Sequence, residues 1–222
     1  MIAGETVRAA ARRCGVHKNT SFRWRHRFLA KLSGAKPAHL HGIVEADETY
    51  FLESFKGRRN LPRPARKRGG KAAKRGLSDE QIPVLIARDR TTATTDAVLE
   101  HANTQEVCAV LAPILDPDAV LCSDGSAVYV ALTKQLHMAH QPVNLSAGIR
   151  VVDHAFPIQN VNAYDSRLKG WLYRFHGVAT KYLPNYLGWR RCLERFSGIL
   201  TPELFLGQAF EALSGDQHLT QT

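Results

Sequence analysis

Two aspartates far apart in the sequence have the surroundings of metal ligands. Asp47 lies inside an apolar, strand-like segment at residues 43–52, and Asp124 directly follows a short apolar run and precedes Gly125. In an α/β sheet, ligand sites gather at the carboxyl ends of strands. Two carboxylates on neighbouring strands repel each other unless a cation such as Mg²⁺ or Mn²⁺, which take oxygen ligands, lies between them. The pair therefore predicts a phosphoryl-transfer metal site, although an aspartate before glycine also occurs in plain turns.

A helical segment at residues 159–175 offers further polar groups. Asn162, Asp165 or Ser166, and Lys169 recur at a spacing that brings them to one face of a helix. The apolar side chains of the same segment form a separate stripe, typical of a helix packed against a core. The polar face thus presents an oxygen that can complete the carboxylate pair and a cation that can hold a phosphate.

The elements that must position these residues alternate between strand and helix. The predicted order is strands at 43–52, 82–90 and 91–100, a helix at 103–115, a strand and a helix within 118–136, a strand at 148–156, and helices at 159–175 and 182–196. Such an order is typical of an α/β fold with a mixed sheet flanked by helices.

The N-terminal segment has a different character. Residues 5–32 read as two short helices around a turn at Gly15, and the second helix carries Arg23, Arg25 and Arg27. This arrangement predicts a helix-turn-helix whose second helix enters the major groove of DNA. The alternative is an amphipathic helical hairpin with no DNA-binding role.

Positive charge is concentrated in two segments. The chain carries a formal charge of +10, residues 1–36 hold nine Lys or Arg against one acid, and residues 54–77 hold ten with no acid. Lys and Arg gain free energy by displacing counterions from phosphates, so a polyanionic partner is expected, although an isolated basic loop can also be merely solvated. The predicted DNA-binding residues of the loop are Arg58, Arg59, Arg66, Lys67, Arg68, Lys71, Lys74 and Arg75.

The four cysteines exclude some classes of protein. Cys14, Cys108, Cys122 and Cys192 lie far apart and form no CxxC pair, so neither a zinc ribbon nor a disulfide framework is predicted. No stretch is apolar enough to span a membrane, and the N-terminus has no signal-peptide pattern. These features predict a cytoplasmic, nucleoid-associated protein.

Three segments carry a resemblance to a known family. The stretches EADETYF, LCSDGSAVY and NVNAYDSRLKGWLYRFHGVATKYLPNYLGW resemble, in matching order, the catalytic segments of the ISXO-like insertion-sequence transposases. The resemblance covers residues 40–196, and its last segment is the most specific. It implies a DDE-type enzyme with an RNase H-like core, preceded here by the small helix-turn-helix.

The resemblance implies a role for each matching residue. Asp47, Asp124 and Asn162 correspond to the metal ligands, the third being Asn in some branches and Glu in others, and Lys169 corresponds to a phosphate contact. It also implies two Mg²⁺ or Mn²⁺ ions, double-stranded DNA as substrate, cleavage and strand transfer at transposon ends, and a homodimer or larger assembly. Whether Asp165 replaces Asn162 at the metal stays open.

The chain departs from the family in its N-terminal region. Members usually carry an N-terminal zinc ribbon that this sequence lacks, so we expect a shortened copy. The predicted organisation is a helix-turn-helix at 1–36, a catalytic domain at 40–200 with a basic loop at 54–80, and a C-terminal tail at 201–222. The alternatives are a transposase remnant that only binds DNA, and a glycosidase with paired acids, which the basic loop disfavours.

Overall fold

The chain divides into two compact units. The computed structural model describes residues 1–67, 70, 72–74, 78–143, 151–152 and 156–216. The first unit contains the described residues of Met1–Lys36, Gly170–His176 and those from Lys181 onward. The second unit contains the described residues of Pro37–Lys169 and Gly177–Thr180.

The second unit is built on a five-stranded mixed sheet. Its strands are β1 (Ile43–Leu52), β2 (Gln81–Asp89), β3 (Thr94–Val98), β4 (Val120–Ser123) and β5 (Ala139–Pro142), in the order β3-β2-β1-β4-β5. β1, β2 and β3 pair antiparallel, whereas β4 runs parallel to both β1 and β5. An antiparallel meander extended by parallel strands is the RNase H-like arrangement, so the predicted fold class is confirmed.

Helices complete the second unit. They are α3 (Thr104–Leu111), α4 (Ala127–Leu136) and α5 (Gln159–Tyr173), of which the residues up to Lys169 belong to this unit. A separate pair of short strands, β6 (Val151–Val152) and β7 (Phe156–Pro157), precedes α5. α3 and α4 pack together, and their Val107 and Tyr129 belong to one buried core with Val44 and Ala46 of β1. Because side chains alternate along a strand, Glu45, Asp47 and Thr49 face the opposite side, where α5 contacts Glu45.

The first unit is helical. It contains α1 (Val7–Arg13), α2 (Lys18–Gly34), α6 (Leu183–Arg195) and α7 (Pro202–Asp216). The side chain of Thr6 caps α1, and Gly15 takes a φ of +63° in the turn before α2, a conformation that glycine adopts without strain. α2 packs against α6, where a Cβ at Gly188 would lie 2.5 Å from the carbonyl oxygen of Leu32. Glycine is therefore needed for this close approach.

Some elements differ from those predicted. β5 and α7 were not predicted, since neither stands out by periodicity, and the predicted strand at 148–156 lies mostly outside the described residues. The segment assigned to a C-terminal tail contains α7, and α6 groups with the N-terminal helices rather than with the sheet. Within the described ranges, no helix combines the length and apolar character needed to cross a bilayer.

Candidate functional site

The two predicted aspartates lie on neighbouring strands. β1 and β4 are parallel, with Ile43 opposite Val120 and Glu45 opposite Cys122. Continuing this register by two residues brings Asp47 level with Asp124, which follows the last residue of β4. Adjacent strands lie about 4.8 Å apart, so the two carboxylates belong to one small region at the carboxyl end of β4.

A tight turn orients Asp124 toward solvent. Its Oδ1 accepts a hydrogen bond from the backbone N–H of Ser126 at 2.9 Å, and Gly125 takes a φ of +78°. On the other side of the turn, the Ser123 hydroxyl lies 2.9 Å from Nε2 of His140 and accepts from the Gly125 N–H. His140 was not predicted, because it lies on the short β5 strand and carries no motif of its own.

The electrostatics of Asp47 reveal its neighbours. Burial raises the pKa of Asp47 from 3.8 to about 6, and the negative charges of Asp124 and Asp165 add to the rise. The Glu48 N–H, which donates to Asp47 Oδ1 at 2.8 Å, and the positive charge of Lys169 oppose it. Asp47 thus shares one electrostatic environment with two other carboxylates, which is a setting that a cation stabilises.

α5 contributes Asp165 and Lys169 to this environment. Lys169 Nζ donates to Asp165 Oδ2 at 2.8 Å, while Asp165 Oδ1 is buried and has no hydrogen-bond partner among the residues that the structure describes. Asn162 is half-buried and lies three residues earlier on the helix, about 4.5 Å back along its axis. The i, i+3, i+7 polar stripe that the sequence predicted is therefore present on α5.

Glu45 ties α5 to β1. Its Oε2 accepts from the backbone N–H groups of Asn160 at 2.7 Å and Val161 at 3.0 Å. The charges of Asp165 and Lys169 both act on Asp47, so this part of α5 lies near Asp47.

A half-buried acid, Glu48, lies on the other face of β1. The Tyr129 hydroxyl donates to Glu48 Oε1 at 2.8 Å, and burial raises the pKa of Glu48 despite this hydrogen bond. Burial also raises the pKa of Tyr129, and the charges of Glu48, Asp47 and Asp124 raise it further. Tyr129 was missed by the sequence analysis because it reads there as an ordinary core residue of a helix.

The donor atoms at this site suit a hard divalent cation. In the part of the chain that the structure describes, no three His, Cys, Asp or Glu side chains form a group close enough to hold one ion. The carboxylates of Asp47 and Asp124 nevertheless offer oxygen donors, and so does Asp165 Oδ1, which no described residue hydrogen-bonds. Oxygen donors are those that Mg²⁺ and Mn²⁺ prefer, so the residues fit such an ion in donor type.

The basic loop after β1 contains two kinds of cationic side chain. Arg66 donates to the Glu53 carbonyl and to Glu80 Oε1, at 2.7 and 2.6 Å, so it holds the loop together. Arg58 lies over the ring of Phe55, with its guanidinium 5.6 Å from the ring centroid. Arg58 is exposed, as are Arg59, Lys67 and Lys74. The remaining predicted residues, Arg68, Lys71 and Arg75, lie outside the described residues.

The three arginines predicted to read DNA on α2 do not share one environment. Arg23 and Arg27 are exposed and flank Trp24, which is 56 % exposed. Arg25 is only 3 % exposed, and its guanidinium lies 5.1 Å from the centre of the Trp189 ring of α6. This burial argues against a DNA contact by Arg25, whose DNA-binding role stays a prediction. An alternating Arg pattern does not suit a helix, in which residues two apart point to different sides.

Two family models match separate parts of the chain. Residues 39–190 match the ISXO2-like transposase domain, and residues 1–36 match the Homeodomain-like domain. An uncharacterized protein in transposable element ISH50 of Halobacterium salinarum is 28 % identical over 174 residues. That match takes in 78 % of this chain and 58 % of the relative, so the chain spans less than two thirds of the relative's length.

Solved structures show only distant likeness. A chain of the simian T-cell lymphotropic virus intasome in complex with PP2A regulatory subunit B56 gamma is 10 % identical, with a TM-score of 0.42 over 75 % of this chain and 52 % of that chain. A chain of the Mos1 strand transfer complex is 12 % identical, with a TM-score of 0.34 over 96 % of this chain and 72 % of that chain.

Proposed function

The chain belongs to the ISXO2-like transposase family, and from this premise we propose that it cleaves DNA at the ends of an insertion sequence and joins the cut strand to target DNA. The observation that carries the proposal is the parallel β1–β4 register, which brings Asp47 level with Asp124. Paired carboxylates at strand ends are the usual anchor for the ions of phosphoryl transfer.

In the proposed reaction, Asp47 and Asp124 would hold the divalent ions. Asp165 is the third ligand that the charge coupling favours, and Asn162 is the one that the family pattern favours. When bound, Mg²⁺ or Mn²⁺ supplies activation of the attacking oxygen and neutralises charge on the leaving oxygen. Lys169, which is half-exposed beside Asp165, holds a phosphate of the strand being cut.

DNA binding is assigned to exposed basic side chains in each unit. Arg23 and Arg27 belong to the helix that corresponds to the recognition helix of a helix-turn-helix. Arg59, Lys67 and Lys74 lie on the loop that follows β1, the strand that carries Asp47. Joining two transposon ends requires two copies of the site, so we expect a homodimer or a larger assembly on DNA.

Strand cleavage tests the proposal directly. Supercoiled DNA carrying the insertion sequence's terminal repeats is incubated with the protein and Mg²⁺, and nicked product is measured. Asp124→Asn should lower the nicking rate by more than about 100-fold. Changing a residue that only supports a metal ligand already lowers activity by up to about 100-fold, and Asp124 is proposed as a ligand itself. Asp118→Asn, which alters an exposed acid on the loop before β4, should nick like the wild type.

A competing function makes the opposite prediction. A transposase remnant that only binds DNA would show no Mg²⁺-dependent nicking above the level of Asp124→Asn, while still binding the terminal repeats. That result would reject the catalytic proposal and retain the DNA-binding one.

A further inference from the structure

Among the described residues, the one that directly precedes α5 cannot cap the helix with its side chain. The helix begins at Gln159, so the residue before it is Ile158, whose side chain cannot accept a hydrogen bond. The first N–H groups of a helix need an acceptor from outside the helix. Glu45 supplies it from β1, since its Oε2 accepts from Asn160 and Val161, 115 and 116 residues away in sequence.

The carboxylate that caps α5 is completely buried. Glu45 has an exposure of 0 %, and its other oxygen, Oε1, lies 3.8 Å from Nε of Arg90. Its negative charge meets the positive end of the α5 dipole, which offsets part of the cost of burying it. A Ser or Asp at position 158 would cap the helix without a buried charge from another element, but such a local cap would not join α5 to β1.

We propose that Glu45 is a positioning residue that sets the level of α5 along β1, and thereby holds Asp165 beside Asp47. The inference rests on the proposed function, because it concerns the same site. The Glu45 side chain joins β1 to α5. It lies two residues before Asp47 on one face of β1, and it accepts hydrogen bonds from α5 about one turn before Asp165. Loss of this contact lets the helix slide or fray at the end nearest the site.

The test compares Glu45 with a second acid, Glu106, to separate positioning of the site from stabilisation of the fold. Glu106 also accepts hydrogen bonds from two successive backbone N–H groups, those of Glu100 and His101. It lies in α3, which carries no proposed site residue. Hydrogen exchange of the capped amides and the Mg²⁺-dependent nicking rate are measured for Glu45→Ala, Glu45→Gln, Glu106→Ala and the wild type. Mn²⁺ affinity, measured by calorimetry, reports on the site without turnover.

The expected result differs between the two acids. Glu45→Ala should expose the amides of Asn160 and Val161 to exchange and lower both nicking and Mn²⁺ affinity about tenfold or more, with DNA affinity unchanged. Glu45→Gln keeps one acceptor oxygen and should fall between Glu45→Ala and the wild type. Glu106→Ala should expose its own amides while nicking and Mn²⁺ affinity stay at the wild-type level.

Two outcomes would overturn the inference, and they are distinguishable. If either Glu45 variant speeds amide exchange in α5 but nicks and binds Mn²⁺ like the wild type, Glu45 only stabilises the fold. Should Glu45→Ala fail to fold, Glu45→Gln alone decides by the same criterion. If the wild type neither nicks nor binds Mn²⁺, the proposed function itself fails, and the positioning role fails with it.

Discussion

Single residues at the site carry charge where burial disfavours it. The pKa of Asp47 is raised to about 6, first by burial and then by two neighbouring carboxylates, and Glu45 is fully buried. An ordinary core would hold apolar side chains at such positions, because each buried carboxylate costs free energy. These carboxylates therefore lower the stability of the folded protein. Functional sites commonly reduce stability in this way.

The first prediction at this scale concerns Asp47 and pH. Because its folded pKa of about 6 lies above the usual 3.8, the ionised carboxylate costs stability that grows as the pH rises from about 4 to about 6. Asp47→Asn should therefore raise the free energy of unfolding by about 1–3 kcal/mol at pH 7.5. The gain should vanish near pH 4, as measured by denaturant unfolding without metal; an equal gain at both pH values would contradict this explanation.

The second residue-scale prediction decides between the two candidates for the third ligand. We expect Asp165→Asn to weaken Mn²⁺ binding more than Asn162→Ala does, because the charge of Asp165 acts on Asp47 and its Oδ1 has no hydrogen-bond partner among the described residues. Calorimetric titration of both variants measures this difference. Lys169→Met, which removes the cation paired with Asp165, serves as control and should not weaken Mn²⁺ binding. The reverse order for the two ligand variants would assign the role to Asn162.

At the scale of elements, α2 has one face packed inside the protein and another face exposed to solvent. Its buried residues include Arg25, Leu29 and Leu32, while Arg23 and Arg27 are exposed. The helical period of 3.6 residues separates these positions, even though three arginines at alternate positions look equivalent in the sequence. Binding and packing can therefore be altered separately on this helix.

The arginines of α2 provide a prediction at this scale. Arg25→Ala should lower the stability of the protein by about 1–3 kcal/mol, because it removes a buried side chain from the face of Trp189. Arg27→Ala should leave stability within about 0.5 kcal/mol and weaken DNA binding. Thermal unfolding and fluorescence anisotropy with terminal-repeat DNA measure the two effects. A stable Arg25→Ala protein with weakened DNA binding would restore Arg25 to the DNA-binding set.

The contact between α2 and α6 provides another prediction. Gly188→Ala should destabilise the helical unit by about 1–3 kcal/mol, because the added Cβ would meet the Leu32 carbonyl at 2.5 Å. Gly207→Ala in α7 is the matched control, since no atom of the described residues lies within 4 Å of its Cβ position. The control should be neutral or slightly stabilising because alanine favours a helix. Equal melting temperatures for both variants would contradict the close approach of α2 and α6.

At the scale of the whole molecule, charge is divided by segment. The net charge of +10 combines nineteen Lys or Arg in residues 1–36 and 54–77 with an acidic remainder. Some of these cations are used inside the protein, as Arg66 is with Glu53 and Glu80 and Arg25 is with Trp189. Net charge therefore overstates the number of cations that can meet phosphates.

Salt dependence tests this division. Replacing Arg59, Lys67 and Lys74 with alanine should reduce the slope of log affinity against log salt concentration by about 3, since each phosphate contact contributes about 0.9. Lys134→Ala, which alters an exposed lysine on α4, is the control and should leave the slope unchanged. An unchanged slope in the triple variant would remove the loop from the DNA-binding surface.

The amino-acid sequence by itself determined the local features of this protein. Apolar runs predicted β1, β2 and β4, the Asp124–Gly125 turn predicted a strand end, and helical spacing predicted the polar stripe of α5. These features depend on residues close together in the sequence, so the propensity and periodicity of the segment are enough to predict them. The α/β class and the helix-turn-helix follow from the order of such segments.

Only the tertiary structure decided which of these features meet. The level register of Asp47 and Asp124, the burial of Arg25, the capping of α5 by Glu45 and the coupling of Asp165 to Asp47 all join residues distant in sequence. A pattern shows that a face is apolar or charged, but it does not identify the partner of that face. Burial and electrostatic coupling depend on that partner, so they emerge only when the chain is folded.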